Sequence, residues 1–314
     1  IGRGSLVSER NDVSLKEAIR QINTNSKRTG KPGIINVVFA IERRKGKMRI
    51  SPFIQEDFSY VIGTATVSRP EDVKKIADAA NGSVDYILLD SACAVNGPGS
   101  LVKNCRKGLK KTALLLYNDY RAWIDTVTRE LAELVEDPRD VDVGIFGDIN
   151  YTLNAAILLA EMGASVMLHT AEKGEGSPGR EAMKPLCKNH PGLKMTTDAF
   201  LASKKKDILI GFSPGKPVIT MGMAKKMKPR GIIMDAGLGS VREDIIFYAH
   251  KKGIRVIRLD MRPIIAGEVT SGIGIRQLVE AHIGTGKIKG KTIVGGGLIG
   301  KKGDIVVDSA RSPS

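Results

Sequence analysis

The chain has 314 residues, 42 % of them apolar and 26 % charged, with a formal net charge of +15 at pH 7. That balance is ordinary for a soluble globular protein and its length suits two domains. No apolar run approaches the length of a membrane-spanning helix, and three cysteines without C-x-x-C spacing argue against a disulfide framework or a zinc site and fit a reducing cytoplasm.

Residues 1–140 hold 23 Lys and Arg against 18 Asp and Glu, and residues 141–314 hold 26 against 16, so the second half is the more basic. Such a surface attracts nucleic acid, but also anionic cofactors and carboxylate or phosphate substrates. Aromatic residues make up only 4 % of the chain, too few for many stacking platforms, so nucleic acid is the less favoured partner. A cytoplasmic homo-oligomer, most simply a homodimer, taking a small polar or anionic substrate is the expected form. Ile1 to Ser5 carry no apolar signal core and no initiating Met, as expected of a truncated or tagged start.

In chain order, Leu15, Ala18, Ile19 and Ile22 share one face of a helix predicted over 14–23, capped by Asp12 or Ser14. Strands are expected at 34–41, 48–54 and 60–67, the first continuously apolar, as a strand covered on both faces should be. Ser68-Arg69-Pro70-Glu71-Asp72 starts a helix that runs to Ala80. Strands at 84–90 and 112–117 enclose a helix over 100–109, and a long helix after Asn118 ends near Glu136. Asp137 to Asp140 reads as a linker between an N-terminal α/β substrate domain, 1–140, and a second α/β domain, 141–314, with a C-terminal extension.

The second domain opens on Asp142-Val-Gly-Ile-Phe-Gly-Asp-Ile-Asn150. An apolar strand stops at Gly147, a helix follows to Met162, Gly163 caps it, and Ala164 to Leu168 form the next strand. Further strands are expected at 193–196, 207–212, 231–235 and 254–259, helices at 180–188, 241–252 and 275–282, and a hairpin from 292–294 to 304–307. Strands alternating with helices in this way predict a doubly wound, mostly parallel sheet. In such sheets ligands bind beyond the carboxyl ends of the strands, which selects Gly147, Asp148, Ile149, Asn150, His169, Thr170, Ser213, Pro214, Asp235 and Gly237. Against the dinucleotide fingerprint G-x-G-x-x-G, the turn keeps one glycine, and Asp148 or Asn150 can equally be an ordinary helix cap.

The segment Asp207 to Ile219, followed by Met227 to Gly237, resembles the cofactor domains of the amino-acid-dehydrogenase-like Rossmann group, to which methylenetetrahydrofolate, methylenetetrahydromethanopterin and shikimate dehydrogenases belong. The resemblance is one of pattern over Val141 to Leu238, and departs from the group at the single-glycine turn and at Arg230, where glycine is usual. It implies a Rossmann domain holding a nicotinamide dinucleotide in a cleft between two domains. The end of the second strand sets the cofactor: an acid there suits the ribose diol of NAD, a basic or small polar group the phosphate of NADP. His169-Thr170 presents no acid, Glu172 lies slightly late, and Lys173 and Arg180 can reach a phosphate, so NADP is expected and NAD is the alternative.

A hydride-transfer enzyme also needs a group to handle a proton. Asp90 and Asp119 end strands of the first domain and Lys103 follows on a helix; these three are the catalytic candidates, against caps and a surface lysine as the plainer reading. Cys93 has no neighbouring histidine, and Arg258 and Arg262 are a possible carboxylate clamp or simply a salt-bridged strand end. Two other classes compete: a carbamoyltransferase-like enzyme, whose second domain also carries a glycine-aspartate turn, and a nucleic-acid-binding or regulatory protein on a degenerate Rossmann scaffold.

Overall fold

The computed structural model describes residues 13–39, 48–91, 98–170, 185–213, 216–237 and 239–310. The chain divides between Asn118 and Asp119 and again between Ile264 and Ile265, giving two compact α/β units.

The first unit is built on a five-stranded sheet in the order β2-β3-β1-β4-β5, with β1 Gly33–Phe39, β2 Arg49–Glu56, β3 Val61–Val67, β4 Tyr86–Asp90 and β5 Ala113–Tyr117. Only β2 runs antiparallel. It lies at the edge and shifts register between Ile50 and Ile54, around Pro52. A proline has no N–H for the ladder, so an edge or a bulge is where it can sit. Helix α1, Leu15–Thr29, is capped by Ser14, whose hydroxyl accepts from the Glu17 N–H at 3.2 Å, and runs beyond the expected end at 23 until Gly30 turns left-handed at φ 68°. Its Ala18, Ile19 and Ile22 pack with Val73, Ile76 and Ala77 of α2, Pro70–Ala80, against Ile35, Val37, Ile87 and Leu89. Arg69, not Ser68, precedes α2 as its cap, and the Arg69 guanidinium bonds Asp72 at 3.0 and 3.1 Å. Helix α3 spans Pro98–Gly108.

The second unit carries six parallel strands: β6 Asp142–Gly147, β7 Ser165–His169, β8 Leu193–Thr196, β9 Ile208–Phe212, β10 Ile232–Asp235 and β11 Arg255–Arg258. Their spatial order is β11-β10-β9-β6-β7-β8. Numbered within the unit this is 3-2-1-4-5-6, the doubly wound order of dinucleotide-binding sheets. Val143, Ile145, Ile208 and Ile210 are buried at the sheet's centre, beneath α4, Asp119–Leu134, and α5, Ile149–Glu161.

Several expectations change. The division at 118/119 replaces the one at 140/141, because α4 buries Trp123, Ile124, Val127 and Leu131 in the second sheet's core. The stretch expected to be a linker is one 3₁₀ turn, Pro138–Asp140, running straight into β6. Residues 265–314 group with the first unit: the helix Arg262–Ala281 is far longer than the one expected at 275–282, and Gly272 sits beside Leu115 of β5. The tail adds β12 Gly284–Ile288, β13 Lys291–Gly295 and β14 Ile305–Val307; β14 runs parallel to β13, so the expected hairpin partner of β13 is instead β12. Arg230 adopts φ 60°, the conformation a glycine takes without strain.

Candidate functional site

In the second unit the strand order reverses between β6 and β9, whose ends pair in register, Gly147 opposite Phe212. The chain leaves β6 toward β7 on one side and β9 toward β10 on the other, which opens a crevice at the strand carboxyl ends. Gly147 has φ +127° and stands so close to β9 that a Cβ would lie 1.8 Å from the Phe212 carbonyl oxygen. The next N–H, of Asp148, donates to that same oxygen at 2.8 Å. The strand-to-helix crossing itself therefore demands this glycine.

Laid on G-x-G-x-x-G from Gly147, the turn puts Ile149 where the second glycine lets backbone approach a pyrophosphate, and Thr152 where the third packs helix on strand. Ile149 is 43 % exposed. Thr152 is fully buried, and its hydroxyl has no hydrogen-bond partner among the described residues. Asp148 caps α5: its carboxylate accepts from the Asn150 N–H at 2.9 Å and from the Asn150 side-chain amide at 3.0 Å. A carboxylate thus sits on the positive end of the helix, where a bound phosphate would gain most.

At the end of β7, His169 lies opposite Thr196 and half-buried against Phe146, ring centroids 5.7 Å apart. Burial lowers its pKa; a hydrogen bond with the Thr197 backbone and the charge of Asp198 offset this in part. Thr170 is buried and its N–H donates to the Thr196 carbonyl. Lys173, Glu172, Arg180 and Pro214 lie outside the described residues, as does Cys93.

Ser213 and Gly237 close the other side of the crevice, and a Cβ on Gly237 would come within 2.4 Å of the Ser213 backbone. Asp235 is buried and turned to its own loop. It accepts from the N–H groups of Gly237, Gly239 and Ser240, and from the Ser240 hydroxyl at 2.7 Å. Burial acts to raise its pKa, but the Ser240 hydroxyl and these three N–H groups outweigh it and hold the carboxyl below its usual range. Asp235 therefore shapes the turn around Gly237 and Ser240. Arg258 reaches Asp235 at 3.4 Å and Arg262 pairs with Asp260, so both arginines act as strand-end salt bridges.

The three catalytic candidates do not share a unit. Asp90 is buried at the end of β4, paired with Tyr117 of β5, and Lys103 is exposed on α3, both in the first unit. Asp119 opens α4 in the second unit, where it accepts from the Tyr151 hydroxyl at 3.1 Å. Tyr151 stacks on Phe212, centroids 5.9 Å apart, and meets Tyr120 edge-on at 4.5 Å. A titratable tyrosine–aspartate pair is thus anchored on the strand that lines the crevice. Spacing alone hid it, because Tyr151 falls on the apolar side of its helix and contacts Asp119 only through the packing of α4 on α5. In the first unit Asn36 is also unanticipated. It lies on β1 between Thr64 and Leu88, and its side-chain oxygen is buried without a partner among the described residues. A lone Asn in the run Ile34-Ile35-Asn36-Val37-Val38 was the available signal.

No family model matches the chain, and no curated protein does. Among solved structures it is similar to an NAD-complexed D-isomer-specific 2-hydroxyacid dehydrogenase from Lactobacillus delbrueckii ssp. bulgaricus: 17 % identity, TM-score 0.35, 63 % of this chain and 72 % of that one. A dipicolinate synthase structure from Bacillus halodurans matches at 13 % identity and TM-score 0.40, covering 80 % of this chain and 97 % of that one. Anabolic ornithine carbamoyltransferase from Campylobacter jejuni matches at 16 % and 0.38, over 77 % and 89 %. These identities and TM-scores are too low to bear on activity.

Proposed function

We propose that residues 119–264 bind a nicotinamide dinucleotide beyond the carboxyl ends of β6, β7, β9 and β10, and that the protein is an NAD(P)-dependent oxidoreductase acting on a small polar or anionic substrate. The observation that carries this reading is the all-parallel order 3-2-1-4-5-6 with Gly147 at its switch point. Gly147 and Gly237 let the strand ends pack backbone to backbone, against Phe212 and Ser213, at the switch point where such a ligand would sit. The turn fits at a cost. A cap is worth about 1 kcal/mol, whereas micromolar binding is worth about 8 kcal/mol, so the Asp148 carboxylate weakens the site without closing it.

The missing acid at His169 and Thr170 favours NADP, with NAD as the alternative. When bound, the nicotinamide ring supplies or accepts the hydride. The protein's own part is to hold the dinucleotide and to move a proton, for which Tyr151, hydrogen-bonded to Asp119, is the best-positioned pair in this unit. Calorimetric titration with NADPH, NADP, NADH and NAD tests the reading; no binding by any of the four rejects it.

One observation favours a second reading, a transferase of carbamoyltransferase-like shape. Ile149 replaces the glycine that lets backbone approach a pyrophosphate, and a site for one small phosphate would not need it. Thermal stabilisation by carbamoyl phosphate, with none by any dinucleotide, would select it.

A further inference from the structure

The first unit has a concave basic face remote from its strand carboxyl ends. A cavity of about 520 Å³ lies where β4 and β5 begin, lined by the side chains of Lys27 from α1, Lys111 from the turn before β5 and Arg276 from the C-terminal helix, with Asn23, Ser83 and Tyr86 between them. A smaller recess of about 290 Å³ shares Asn23 and Ser83 and extends the groove to Lys16 and Arg20. The larger cavity is of the size that takes a small ligand.

Three cations from distant parts of the chain converge on one hollow, and their mutual repulsion is unfavourable unless something neutralises it. The protein does part of this itself. Lys27 and Lys111 form no ion pair among the described residues, and Arg276 is held by Glu280 at 2.5 Å. Asp85 is the one acid in the lining; it accepts from the Gly33 N–H at 2.7 Å and keeps its charge, so beside the paired Arg276 the two lysines leave about one net positive charge for a ligand.

The walls are also preorganised. The Asn81 side-chain oxygen accepts from the N–H groups of Lys110, Lys111 and Thr112 at 2.9, 2.8 and 3.3 Å, fixing the turn that carries Lys111. The Thr112 hydroxyl accepts from the Gly82 N–H and donates to the Val84 carbonyl, tying that turn to the start of β4. Gly82, at φ +78°, lies against the Lys111 stem: a Cβ there would meet its Cδ at 3.3 Å.

We propose that this hollow is a ligand site for a small polyanion carrying two or more phosphate or carboxylate groups, separate from the crevice of the second unit. Lys27, Lys111 and Arg276 bind the charges, and Asn23 and Ser83 hydrogen-bond the remaining oxygens. Tyr86 is the single aromatic ring in the lining, too little stacking surface for successive bases, which favours a small molecule over a nucleic-acid strand.

The test is calorimetric titration of the full chain with inorganic pyrophosphate and, separately, citrate, at low and moderate salt. The wild type should bind at least one of them with an affinity that falls as salt rises. The Lys27→Gln/Lys111→Gln double variant and the Arg276→Gln variant should each bind about tenfold more weakly or worse, with unchanged far-UV circular dichroism. Lys252→Gln, which removes an exposed lysine of the second unit just before β11, should leave this binding unchanged. Absence of binding by the wild type, or wild-type affinity in both variants, overturns the proposal. So does tighter binding of a single-stranded ten-nucleotide RNA that the same substitutions abolish, which would make the groove a nucleic-acid surface. NADP(H) titrated into the Lys27→Gln/Lys111→Gln variant, whose hollow is disabled, reports on the second unit, so failure here is distinguishable from failure there.

Discussion

Replacing Asp148 by Asn removes one negative charge from the N-terminus of α5 while keeping the cap, because Asn and Asp cap helices about equally well. The Asn150 N–H, now bonded to the Asp148 carboxylate at 2.9 Å, keeps an acceptor. A dinucleotide's pyrophosphate at this helix end would stand roughly 5 Å from the carboxylate, and two unit charges at that separation repel by about 1 kcal/mol in water and about 3 kcal/mol near a protein surface. Asp148 is exposed, so the lower figure applies. Asp148→Asn should therefore tighten NADPH binding about fivefold, with the gain shrinking as salt is added. Calorimetry gives the affinity, and a urea titration should show stability within about 0.5 kcal/mol of wild type. Unchanged or weaker binding would refute the reasoning, since the carboxylate would then be absent from the phosphate's surroundings or would itself be a ligand to the cofactor.

Gly147→Ala places a methyl group against the Phe212 carbonyl at a φ that L residues avoid, and should cost about 3 kcal/mol of stability by urea denaturation, whether or not a cofactor is present; a loss below about 1 kcal/mol would show that the strand ends are not locked together. Tyr151→Phe removes the hydroxyl bonded to Asp119 and should lower turnover by about 10²- to 10⁴-fold with cofactor affinity nearly unchanged; full activity with the true substrate removes the pair from the mechanism. His169, lowered by burial, is neutral at pH 7, so preference for NADP over NAD should grow as pH falls through its depressed pKa, and His169→Gln should abolish that trend in paired titrations. Asp235→Asn should cost about 2 kcal/mol at pH 7. Because the folded pKa of Asp235 is lowered, its contribution is fully present above the unfolded value of about 4 and disappears as pH falls through the folded value, so variant and wild type should converge in acid denaturation.

Much of the architecture was legible in the chain. The apolar runs ending at Gly147, Leu168, Phe212 and Asp235, each followed by breakers or a helical period, mark buried parallel strands with their carboxyl ends, because side-chain period and turn chemistry are local properties. Ser14, Asp148 and Gly163 likewise act within their own turns of helix. What pairing decides was hidden. The order 3-2-1-4-5-6 depends on which strands lie side by side, and α4 joins the second unit because Trp123 and Val127 find their complement there, across a turn that looked like a boundary. Tyr151 meets Asp119, Asp235 gathers the N–H groups of its own loop, and Lys27, Lys111 and Arg276 share one hollow only after the chain has folded. Sequence determined which residues could carry charge, hydrogen bonds and turns. Tertiary packing decided which of them face one another, since distance in space, unlike residue type, is set by the whole core at once.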